Sequence, residues 1–252
     1  MTAEERIRAF KEASSKAAAQ SGIKPRTGIL RKYRPLILAM LIFLLGVNIS
    51  KIAQMNGNGY KLTEHFDEAA ISVDSPSGRT YTLTMGELGY YILRLERVVD
   101  EKARAYDSDN PSAYWKIRIS TKDKASYVTT LARETVLDYS ERDLIYAADA
   151  EEAGLTLTEE ELKQVRLESG RFYLRMSEEE KNATGLTAES LESIMCREAL
   201  AKKRMESADA KDTDVGSAYY TELKDRYDIQ RNDDELSKLR VGYITINNGE
   251  HK

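Results

Sequence analysis

The sequence predicts a mainly α-helical domain with a small β-hairpin and a terminal strand, carried behind one transmembrane helix. Three observations predict it. Residues 36–47 (LILAMLIFLLGV) form an uncharged apolar run that directly follows Arg31, Lys32 and Arg34. Further on, Thr84, Thr158, Ser177 and Thr187 each stand where a helix should open, the first three with a Glu three residues later, the pattern of a capping box. The β-prone stretches are confined to two short runs near residue 75 and one run close to the end.

The amino-terminal arm, residues 1–34, carries nine Lys or Arg against three acids. The apolar run that follows favours bilayer insertion by about 3 to 5 kcal/mol. Extended through Ile52 it reaches about 17 residues, or roughly 26 Å of helix, enough for a slightly thin bilayer if Lys51 snorkels. Residues 35–53 are therefore predicted to be a signal-anchor lying in the lipid bilayer. A cleaved signal peptide fits the flanks less well, because Lys51 or Asn48 would occupy the third-last position before the cut, where a small residue is wanted. The excess of positive charge ahead of the anchor predicts a single-pass cell-membrane protein, amino terminus cytoplasmic and carboxy-terminal domain extracytoplasmic.

Removing the first 34 residues leaves 29 basic and 39 acidic side chains, a net charge near −10. Such a domain is a poor nucleic-acid partner and a poor ligand for anionic lipid. One cysteine permits no internal disulfide, and two histidines are too few for a histidine metal site.

Residues 54–69 read as a polar linker. Ala70–Val73 and Thr80–Leu83 flank the turn cluster Ser75-Pro76-Ser77-Gly78 and predict a hairpin. Thr84 and Glu87 open a helix whose apolar face is Leu88, Tyr91, Ile92, Leu95, Val98 and Val99, ending near Asp107 to Pro111. A long helix is expected from about Lys122 to Ala153, with Val128, Leu131, Val136 and Tyr139 on one face and Gly154 as its stop. Thr158, Ser177 and Thr187 open three more, and residues 216–227 hold a short one. Leu239–Ile246 (LRVGYITI) reads as a strand.

Three stretches resemble the amino-terminal chaperone domain of the SurA and PrsA type of extracytoplasmic foldase, related to the peptide-binding part of trigger factor: RTYTLTMGELGYYILRL (79–95), AADAEEAGLTLTEEELKQV (147–165) and GLTAESLESIMCREALAKKRM (185–205). The resemblance covers residues 70–230 and rests on the order and spacing of elements. It implies a holdase for unfolded or newly exported polypeptides. In that family a parvulin-type prolyl isomerase domain commonly follows, and KLRVGYITI is similar to its opening strand, so residues 231–252 read as a terminal strand and tail, the remnant or start of such a domain. No isomerase residues are carried over, and the enzymatic alternative is a parvulin half lost from this sequence.

No phosphate-binding loop, nucleophile triad or Cys/His metal pattern is present, so no catalytic residue, metal or cofactor is expected. The acidic triplets 159–161 and 178–180 fall in first turns of helices, where capping and dipole complementarity account for them. Asp107, Asp109 and Asn110 lack the Gly and Glu offsets of a calcium loop. The aromatic pairs Tyr90-Tyr91, Tyr114-Trp115 and Tyr219-Tyr220 are the candidate client-binding residues, since Tyr and Trp offer broad contact at low entropic cost. Large core residues are the plainer reading of any one of them. The acidic surface suggests clients with basic segments. A structural scaffold subunit of an envelope complex is the non-chaperone alternative.

Overall fold

Entering at residue 61, the chain makes a 3-10 turn, Leu62–His65, that packs directly on the first long helix. The computed structural model describes residues 61–245, apart from 121–124, 209 and 211. The basic arm, the anchor segment 35–53 and the first part of the linker lie outside the described residues. Among the described residues no helix is long and apolar enough to cross a membrane. They fall within one compact unit, Gly59–Lys252.

The domain is mainly helical with two small antiparallel sheets. Strands β1 (Ala69–Asp74) and β2 (Thr80–Thr84) form the expected hairpin. Its turn closes by a bond from Gly78 N to Ser75 O, with Gly78 at φ +84°, where a Cβ would be strained. Helix α1 (Met85–Tyr106) opens on the full Thr84/Glu87 capping box. The same device opens α4 (Glu159–Leu174) at Thr158/Glu161 and α5 (Glu178–Thr184) at Ser177/Glu180. Helix α6 (Ala188–Ser207) opens at Thr187, where Ser190 rather than an acid returns the bond. The acidic triplets are thus helix openings, as the sequence indicates. The intervening long helix, α3 (Val128–Glu152), ends before Gly154 at φ +71°.

Several expectations need correction. The linker does not extend to residue 69. Leu62 is buried, and Gly86 and Gly89 lack the Cβ atoms that would strike Phe66 and Leu62, so the turn lies flat on α1. Residues 125–127 are not helical. They form β4 (Ala125–Tyr127), paired with β3 (Arg118–Ser120) just after the short helix α2 (Ser112–Trp115). Helix α3 therefore starts at Val128, whose N–H donates to Ile117 O. Its buried stripe runs Val128, Ala132, Val136, Ser140 at i, i+4 spacing. Tyr139 sits off that stripe, exposed, with the Arg142 guanidinium 4.5 Å from its ring centroid.

The largest correction concerns the carboxy-terminal end. After α7 (Ala218–Lys224) the chain forms a strand that the sequence did not signal, β5 (Asp228–Arg231), which pairs antiparallel with β1 and places Ile229 opposite Val73. A short helix, α8 (Asp233–Leu236), follows. Residues 239–245 are not a strand but a strap wound over α1. Its focus is Glu96, which is 0% exposed. Glu96 Oε1 accepts from Gly242 N (2.5 Å) and Tyr243 N (3.1 Å). Oε2 accepts from Ile244 N (2.9 Å), Thr245 N (2.8 Å) and Thr245 Oγ1 (3.0 Å). Four successive amides and a hydroxyl thus supply the hydrogen bonds that a buried carboxylate requires. Burial still outweighs them and holds the Glu96 carboxyl above the ordinary range. Gly242, at φ +96°, lies where a Cβ would come 2.6 Å from Trp115, so the strap also seals the chain's single tryptophan. The stretch that resembles the start of a further domain is, as far as residue 245, part of this one.

Candidate functional site

The site builds from how α4 is attached. Helix α6 lies against both α3 and α4, and α4 buries only Val165 and Ser169. Ion pairs also link these helices. Arg197 of α6 binds Glu87 of α1 with both Nη atoms (3.0 and 2.9 Å), Arg204 reaches Asp149 of α3 (2.6 Å), and Lys203 reaches Glu161 of α4 (2.7 Å). Arg97 of α1 holds Glu180 of α5 at 2.8 Å and also donates to the carbonyl of Arg175. Between α1, α3, α4 and α6 these struts leave an open cleft of about 830 Å³.

The apolar part of the cleft is Leu157, Val165, Phe172, Met195 and Met205, with Tyr90 on α1. The Phe172 ring is 5.4 Å from that of Tyr90, and the Arg97 guanidinium lies 4.8 Å from the Phe172 centroid. Tyr90 donates to Glu198 Oε2 (2.7 Å) and accepts from Arg94 Nη1 (3.1 Å), while Arg94 also pairs with Glu198. Burial chiefly, with the nearby Glu198 charge, pushes the Tyr90 phenol far above its ordinary value, so it stays a neutral hydroxyl.

A smaller pocket of about 320 Å³ between α1 and α3 shares Arg94, Arg142, Asp143 and Glu198 with the cleft. Its apolar lining includes Leu95, Val98 and Val136. Asp143 is 3% exposed, and burial pushes its carboxyl from 3.8 up to about 6 against the opposing pull of Arg142. Both Arg142 bonds fall on Oδ1.

The six aromatic candidates occupy four places. Tyr90 lines the cleft and Tyr91 the smaller pocket. Tyr114 packs at a tilt against Tyr106, with ring centroids 5.7 Å apart, beside the buried Trp115 beneath the strap. Tyr219 and Tyr220 both stack on Tyr146 of α3. Tyr91, Trp115 and Tyr220 are buried, and Tyr90 is 2% exposed, so as placed these four are core residues. Only Tyr90 presents itself to the larger cleft. Phe172, Met195 and Met205 are the apolar groups that a ligand there would meet, together with charges the sequence reading passed over.

One further side-chain cluster brings His65, Glu68 and Glu235 together within 4.8 Å, with His65 Nδ1 2.9 Å from Glu68. Glu235 is simultaneously bound by Lys238 at 2.6 Å, which competes with any cation there. The Asp107 carboxylate accepts from the amides of Asp109 and Asn110, a local turn.

Comparison with known proteins finds no matching family model, no similar curated protein and no similar solved structure.

Proposed function

We propose that this chain is a membrane-anchored extracytoplasmic holdase, binding unfolded exported polypeptides in the cleft between α1, α3, α4 and α6 without nucleotide. The observation that carries the reading is the cleft's lining. Phe172, Met195 and Met205 offer adaptable apolar contact, and they are interleaved with charged groups that keep the cleft wet and binding reversible. A wall as thinly buried as α4 can shift to admit different segments. The order of elements, hairpin then capped helices, agrees with the foldase resemblance, and the apolar run 36–47 with its basic flank supports the anchor and topology.

The test uses the full chain in lipid nanodiscs. A chemically unfolded client is diluted into increasing amounts of it, with empty discs as control, and light scattering is followed. Suppression near stoichiometric ratios is expected, and Met195→Ser with Met205→Ser should weaken it. Absence of suppression across several clients sinks the holdase reading. A dedicated scaffold subunit is the second reading, favoured by Leu174 and Leu167 of α4, which are 83% and 49% exposed. In that case one stoichiometric partner, not many clients, would crosslink to α4.

A further inference from the structure

The cleft is a basic patch within an acidic domain. Seven of its lining side chains are Lys or Arg and five are Asp or Glu. Four of the acids are already matched: Glu198 by Arg94, Asp143 by Arg142, Glu161 by Lys203 and Glu206 by Lys202. Glu168 is held by the Gln164 amide, and Arg97 is committed to Glu180. That leaves Arg171 in the last turn of α4 and Arg175 as its C-cap, one helical turn apart, both exposed and, among the described residues, without a carboxylate within 4 Å. Between them in sequence stands Phe172, whose ring forms part of the apolar lining.

Resting on the holdase reading, we infer that the cleft selects extended polypeptide segments in which Asp or Glu alternates with aromatic or large aliphatic residues. This reverses the preference for basic clients that overall charge suggests. A guanidinium presents a planar fork that fits a carboxylate with two parallel bonds, and two such forks flank an aromatic contact here. The charge of residues 35–252, near −10, repels an acidic segment from the rest of the surface and leaves the cleft as its favourable landing place.

The test measures fluorescence anisotropy on the full chain in zwitterionic nanodiscs. Three labelled peptides share the same aromatic and aliphatic residues and differ only in the residues between, which are Asp/Glu, Asn/Gln or Lys. The acidic peptide should bind roughly 3- to 10-fold more tightly than the neutral one, the scale of two exposed ion pairs. That advantage should shrink as salt rises from about 50 to 500 mM, where the screening length falls below about 5 Å. The double variant Arg171→Glu, Arg175→Glu should remove or reverse the preference of the acidic over the neutral peptide. Equal binding of all three peptides, or tightest binding of the basic one, overturns the charge selection and leaves the holdase reading standing. Failure of all three to bind overturns the holdase reading and the selection with it.

Discussion

Helices α3 and α4 are built by opposite means. Of the twenty-five residues of α3, thirteen are buried, and of the sixteen of α4, two. Helix α3 is held by apolar packing, reinforced by Glu141, which is 1% exposed and bound by Lys224 (2.5 Å) and Arg231 (2.6 Å). Helix α4 is held by its capping box, the Lys203 strut and one face against α6. Apolar burial resists salt and small displacements, whereas caps and exposed ion pairs are weak and screened. The difference places a deeply buried wall and a thinly buried wall on opposite sides of one cleft.

The largest effect is expected on α1, the deeply buried helix that packs against α3. Glu96→Ala leaves four amides and a hydroxyl without their buried acceptor, and should cost about 3–5 kcal/mol in urea unfolding. Release of the strap should also shift Trp115 fluorescence to the red; unchanged emission would mean that the strap does not depend on Glu96. Next, Leu144→Ala should cost about 2–5 kcal/mol and Val165→Ala only about 1–2 kcal/mol. Equal losses would break the distinction between the two helices.

The third test is pH. With the folded Asp143 carboxyl near 6 and its ordinary value 3.8, the native state binds this proton more tightly than the unfolded chain. Its ionisation is a burden that is complete above the folded value. Stability should therefore rise by about 1–3 kcal/mol as pH falls from 7 towards 4, and Asp143→Asn should flatten that slope. Glu161 runs the other way: the Lys203 hydrogen bond first, with capping bonds, holds its carboxyl down at about 2, so its strut is lost only as pH falls from about 4 towards 2. The smallest effect is Thr158→Ala, about 1 kcal/mol, felt as faster hydrogen exchange in α4 with α3 unaffected. Faster exchange in both would show that the cap supports the whole domain.

What the sequence revealed follows from distance along the chain. The boxes at Thr84, Thr158 and Ser177 are written in residues three apart, so they can be read without knowing the fold. The hairpin around Gly78 is equally local. The strap was not legible, since its partner Glu96 is 146 to 149 residues away and is met by backbone amides, which every sequence possesses. Alternating Val241, Tyr243 and Thr245 imitate a strand, but Gly242 takes a positive φ and the amides of 242–245 turn onto Glu96. Strand β5 carries one apolar residue, Ile229, and was invisible for that reason. Aromatic pairs advertise contact area but not which side of the surface it faces, so Tyr91, Trp115 and Tyr220 can be named as candidates from sequence although all three are buried. Arg171 and Arg175 were visible as a one-turn pair, but only the committed partners of their neighbours single them out.

The strap also sets an order of events in time. Helix α1 is synthesised well before the strap, so its central carboxylate has to wait for residues 242–245 before it can be buried with its bonds made. Closing so long a loop is slow, and the domain cannot complete its folding until nearly all of it has been made. Until then α1 holds an ionisable group facing its own interior side, and the nascent domain should itself remain loose, protease-sensitive and prone to engage other chains.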